Sequence, residues 1–127
     1  MTNYIRVFFI CLGFLSLASC YQQERNCKDF KTGKFKFELE IAGEKKTTFF
    51  ERIDSLEIEN FEGKIDTSYV RWINDCEYIL HKKNPKGRND KKGVHIKILT
   101  TKDNTYTFEF SMVGDANKQK GVVSKLE

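Results

Sequence analysis

From Gly33 onward the apolar residues of this chain recur at every second position, and that period decides what the chain can become. Phe35, Phe37, Leu39 and Ile41 alternate with Lys36, Glu38 and Glu40. On a strand such a set shares one face; on a helix, with its repeat of about 3.6 residues, it would be scattered. A second run, Thr47 to Ile53, sets Phe49, Glu51 and Ile53 against Phe50 and Arg52. Further runs follow at Leu56 to Phe61, Ile65 to Ile73, Cys76 to His81, Val94 to Thr100 and Tyr106 to Met112, with a weaker one at Val122 to Leu126. Turn chemistry separates most of them, at Ala42-Gly43-Glu44, Glu62-Gly63-Lys64, Asn74-Asp75, Lys102-Asp103-Asn104 and Gly114-Asp115. The single proline, Pro85, falls between runs, as a sheet protein places it.

The fold expected is therefore all-β: an antiparallel meander of seven to eight strands with no helix. So many short consecutive strands must hide their edges, either by closing into a small barrel or by forming a two-sheet sandwich. The up-and-down order leans toward the barrel. In strand count such a meander resembles the lipocalin-type exported barrels. That resemblance implies a cavity for a small apolar ligand, lined by Phe35, Phe37, Phe108 and Phe110. The competing reading has the same aromatics filling a solid core, and an apolar void of a few hundred Å³ would separate the two.

The amino terminus carries a different message. Arg6 precedes a twelve-residue apolar stretch, Val7 to Ala18, that ends in small residues, the order of an export signal. A membrane-spanning helix needs about 20 such residues, so the stretch is too short to stay as an anchor. Leu17-Ala18-Ser19-Cys20 resembles the cleavage box of bacterial lipoproteins. The resemblance implies that residues 1–19 are removed and that Cys20 becomes the lipidated first residue of the mature chain. Residues 20–26 would form a short leader and residues 27–127 a single β domain. In such lipoproteins an Asp beside the lipidated cysteine favours the inner membrane; Tyr21 stands there, so the outer membrane is favoured. The membrane partner would be reached through the lipid on Cys20, and several acyl chains would hold the protein stably where one would not.

Of the four cysteines, Cys11 lies in the removed segment and Cys20 takes the lipid. Cys27 and Cys76 remain as one pair in an oxidising compartment, and a disulfide between them is expected. Removing residues 1–19 takes away only Arg6 and leaves 21 bases against 18 acids. Those charges are unevenly spread: residues 38–77 hold eleven acids and five bases, residues 78–127 eleven bases and five acids.

The densest basic stretch lies between His81 and Val94, where Lys82, Lys83, Lys86, Arg88, Lys91 and Lys92 face the single acid Asp90. It reads as a cationic loop able to meet anionic lipid, an envelope protein or another polyanion, or else as a solvated hairpin loop. It lacks interleaved aromatics, so no nucleic-acid partner is expected. His81 and His95 bracket the loop out of phase with the apolar positions, which puts both on the outward face, as near neighbours if the two strands pair; two histidines without a third ligand make a weak metal site or pH sensor, and the competing reading is two exposed surface histidines. A two-residue Asn74-Asp75 turn would set Arg71 opposite Tyr78 and leave Trp72 on the other face, lining a ligand surface with Val70. The competing reading has Trp72 capping the core in a different register.

No nucleophile elbow, phosphate loop or nucleophile–histidine pairing is present, so no catalytic residue, cofactor or metal is expected. Glu38, Glu40, Glu57 and Glu59 read as carboxylates turned to solvent. The stretches Cys27-Lys28-Asp29-Phe30-Lys31-Thr32-Gly33-x-Phe35 and Arg71 to Tyr78 resemble short, uncharacterised bacterial lipoproteins over most of the mature chain. Similar chains sometimes carry the label DNA topoisomerase IV, an activity that needs large DNA-gripping domains and is rejected for a chain this small. The function expected is that of a lipid-anchored envelope protein acting by binding and not by catalysis, with a small apolar-ligand carrier as the alternative.

Overall fold

The computed structural model describes residues 25–127; the expected signal segment 1–19 and the expected lipidation position Cys20 lie outside the described residues. A short 3-10 turn, Cys27–Phe30, leads into eight strands: β1 (Gly33–Ile41), β2 (Glu44–Ile53), β3 (Leu56–Phe61), β4 (Lys64–Asn74), β5 (Glu77–Lys82), β6 (Val94–Lys102), β7 (Thr105–Met112) and β8 (Gln119–Lys125). Each strand pairs antiparallel with the next. β8 returns to β1, with Phe37 opposite Val123, and the sheet becomes a closed barrel. Closure removes the edge problem that eight consecutive strands pose, and it decides for the barrel over the sandwich.

Tight turns hold the register. At Ala42-Gly43 and Glu62-Gly63 both central residues have positive φ, the mirror-image turn whose twist matches that of the flanking strands. The Asn74-Asp75 turn differs from expectation. Asn74 faces Glu77 and Trp72 faces Tyr78, with a bulge between positions 72 and 74, so Asp75 and Cys76 form the tip. Two local forces explain the shift: the Asn74 side-chain oxygen accepts from the Cys76 amide at 2.9 Å, and Cys76 is drawn to Cys27 in a disulfide with Cα atoms 5.2 Å apart. Trp72 consequently turns inward against Tyr78, ring centroids 4.5 Å apart, and packs on the core.

The odd and even ends of the barrel differ. The turns after β2, β4 and β6, the amino-terminal 3-10 turn and the carboxyl terminus share one end. The turns after β1 and β3, the 83–93 loop and the 113–118 loop share the other. The first end is plugged. Phe30 is 2% exposed and meets Tyr106 edge-on at 5.2 Å. The disulfide clamps Cys27 to the β4–β5 turn, and the Asn26 amide donates to Thr101 Oγ1 at 2.8 Å. Among the described residues the second end carries no comparable cover.

Candidate functional site

Under the plug sits a buried charge. Arg52, from β2, shares the inward face with Phe50 and is 2% exposed. Its Nε donates to Glu57 at 2.9 Å and its Nη2 to the hydroxyls of Tyr78 at 2.9 Å and Tyr106 at 2.5 Å; its Nη1 donates to the Phe30 carbonyl in the plug. The guanidinium also lies over the rings of Phe35 at 4.6 Å and Tyr78 at 4.8 Å. Burial opposes the charge, but these acceptors outweigh it and hold Arg52 even more firmly protonated than usual. Burial likewise pushes the Tyr78 and Tyr106 hydroxyls upward, so both stay neutral and Glu57 is the counter-charge.

Above this floor the barrel is hollow. A cavity of about 220 Å³ is lined by Phe37, Phe50, Phe108 and Phe110, by Leu80, Val94, Ile96 and Val123, and by Thr48, Glu57, Glu59, Tyr78 and Tyr106. Val94 and Phe110 carry its lining toward the end opposite the plug. Gly121 on β8 shapes one wall: a Cβ there would come within 2.7 Å of the Phe37 ring and 2.8 Å of the Phe108 ring, which meet edge-on at 5.4 Å. A glycine lets two phenylalanines cross the strand where any side chain would push them into the void.

The sequence places three of its four expected wall residues correctly. Phe37, Phe108 and Phe110 line the cavity, while Phe35 is fully buried lower down, stacked on Phe50 at 5.0 Å with Arg52 over it. One of the four carboxylates read as solvent-facing is corrected: Glu57 is 7% exposed and pairs with Arg52, whereas Glu59 is exposed at the rim, where it also borders the cavity. On β3 the alternation runs opposite to the usual sense, with Leu56 and Ile58 on the outer face, because a buried guanidinium one strand away requires an anion inside. By contrast Glu38 stands outside, bridging Lys36 at 3.0 Å and Lys45 at 2.8 Å. Alternation alone does not mark Arg52 as a buried charge. Its phase with Phe50 was legible, and the Asp54-Ser55 turn puts it directly across from Glu57.

Of the basic loop, Lys82 is a strand residue whose ammonium is held by Asp66 at 2.9 Å and Asp90 at 3.6 Å. Lys83, Lys86, Arg88, Lys91 and Lys92 are exposed, with no ion pair among the described residues. The loop stands at the cavity end of the barrel, remote from the plug. The two histidines are not opposite one another in the register: His95 faces Ile79 and bonds Glu77 at 3.1 Å, whereas His81 is exposed against Gly93. No cluster of three metal-ligating side chains occurs among the described residues. Comparison with known protein families, with curated proteins and with solved structures finds no match, so the site stands on its own geometry.

Proposed function

We propose that this chain is a lipid-anchored, non-catalytic binding protein of the cell envelope, held at the outer membrane on the cue of Tyr21 beside Cys20, and that it receives a compact, mostly apolar ligand in its barrel. The observation that carries the binding half is the aromatic cavity of about 220 Å³ above a sealed floor. An apolar cavity of about 150 Å³ is enough to admit benzene, so this one has room for a single ring with a short tail. Pockets for larger, drug-sized molecules run to about 300–1,000 Å³. The carrier reading is favoured over that of a solid accessory domain for this reason.

The envelope half rests on the Leu17-Ala18-Ser19-Cys20 box and is consistent with the disulfide. It also orients the molecule. Cys20 lies five residues before Arg25, a reach of at most about 18 Å. Arg25 and Asn26 are fastened to Ile98 and Thr101 at the plugged end. A nine-residue strand, tilted as barrels require, rises about 20–25 Å. The leader is thus shorter than the barrel is tall, and the cavity mouth and its basic loop face away from the bilayer that holds the lipid. An anionic partner of that loop would lie in the aqueous space or beyond it.

Two measurements test the two halves separately. Metabolic labelling with a fatty acid should mark the wild type and fail with Cys20→Ala; label surviving that substitution ends the lipoprotein half. Calorimetric titration of the 25–127 barrel within the full chain with 2-phenylethanol should show saturable binding that Leu80→Trp, which fills the upper wall, abolishes. Binding indifferent to that change would remove the cavity as the site.

A further inference from the structure

We infer that the cavity is built for a compact organic cation, an ammonium on a short apolar body, whose head meets Glu59 while its body lies among Phe37, Phe50, Phe108 and Phe110. This deepens the binding reading above and rests on it.

Charge accounting inside the barrel leads there. Among the lining residues only Glu57 and Glu59 are charged. Glu57 is engaged by Arg52. Glu59 has no cation within ion-pair distance among the described residues, and its neighbour across β4, Asp66, is itself an acid that already holds Lys82. Glu59 reaches solvent at the rim, yet the surrounding wall strips part of its hydration. That desolvation first, and then Glu57 and Asp66, push its carboxyl above the ordinary range, with Lys82 only partly offsetting them. The cavity therefore offers one anion that lacks a partner, beside four phenylalanine faces. Aromatic faces attract cations, and more strongly where water is excluded.

An anionic ligand fits the same surroundings poorly. Its charge would lie against two carboxylates, and Arg52 cannot serve it: each guanidinium nitrogen already donates, to Glu57, the Phe30 carbonyl, Tyr78 and Tyr106, and Arg52 is not part of the cavity lining. The lysines of the 83–93 loop do not reverse the preference. They are exposed, and their field is screened over about 8 Å at physiological ionic strength.

Three probes of similar shape decide the matter by calorimetry on the wild-type protein: 2-phenylethylammonium, neutral 2-phenylethanol and anionic 3-phenylpropionate. The ammonium should bind about tenfold more tightly than the alcohol, the gain of one charge-assisted hydrogen bond, and the carboxylate most weakly. Glu59→Gln should remove the ammonium's advantage and leave the alcohol's affinity unchanged. Glu59→Asp, which keeps the charge on a shorter stem, should retain part of it, with circular dichroism confirming the barrel in both variants. Equal affinity for ammonium and alcohol, an advantage that survives Glu59→Gln, or tightest binding of the carboxylate would each overturn the cation assignment while leaving a binding cavity in place. If none of the three binds, the cavity reading falls as well.

Discussion

The two ends of this barrel use the same residue types for opposite purposes. At the plugged end one arginine is enclosed, and every group around it is an acceptor or an aromatic face. At the open end Lys83, Lys86, Arg88, Lys91 and Lys92 stand in water without ion pairs among the described residues. The lesson is that solvent, more than residue identity, sets what a charge does. Removed from water, a guanidinium dictates the conformation of everything within reach. Left in water, five cations dictate almost nothing about the fold and are free to serve an encounter.

That contrast breaks first, and hardest, at Glu57. Replacing it with Ala leaves Arg52 charged, buried and uncompensated, and breaking a buried pair by removing one partner costs about 3–5 kcal/mol. Urea denaturation should show a loss of that size. The double replacement Arg52→Met with Glu57→Leu should recover most of it, since apolar side chains of similar volume are often as stable as the pair they replace. A double variant as damaged as the single would mean that packing, and not pairing, makes the floor what it is.

The disulfide is the next largest lever on the same end. Cys27 and Cys76 are 49 residues apart, and closing a loop of that size contributes about 4 kcal/mol on the chain-entropy account, with about 2–4 kcal/mol the usual range. Cys27→Ser with Cys76→Ser should lower the denaturation midpoint accordingly. The loss should exceed that of any exposed ion pair nearby, such as Lys31 with Asp75 at 2.9 Å. A negligible shift would show that the plug holds without the bridge, by Phe30, its bond to Arg52 and the bonds of Arg25 and Asn26 to Ile98 and Thr101.

How far the sequence reveals this arrangement follows from the same contrast. Strands such as β1 and β7, with Phe35 and Phe37 or Tyr106 and Phe108 turned inward, are plain from the period-two pattern, whereas the up-and-down order only leans toward the barrel and the pairing of β8 with β1 decides it. The Cys27–Cys76 bridge is legible by elimination among four cysteines. What misleads is β3, where the apolar side chains of Leu56 and Ile58 face outward while Glu57 is buried inside and Glu59, on the same face, stands exposed at the rim. Alternation gives two faces but does not say which is the inside; only the buried partner on β2 settles it. The register at Asp75-Cys76 is hidden for a similar reason, since a side-chain hydrogen bond and a distant cysteine together move the turn by one residue. The cavity was legible as a possibility and not as a volume, because the crossing of Phe37 and Phe108 over Gly121 is a three-strand event.

The smallest effect on stability is expected at the open end, and it sharpens the comparison. Replacing Lys83, Lys86, Arg88, Lys91 and Lys92 together by Gln removes five positive charges from exposed positions that make no ion pairs among the described residues. Surface changes away from caps, cores and networks usually fall within about 0.5 kcal/mol each way, so the denaturation midpoint should hardly move. Lys82 is left intact because Asp66 and Asp90 both use it, and its loss would disturb the rim beside Glu59. Retention on a polyanionic column should nevertheless fall sharply, and the remaining retention should depend less on salt. A midpoint drop comparable to that of Glu57→Ala would show that the loop is fastened to the barrel as firmly as the plug, and the distinction between the two ends would be lost.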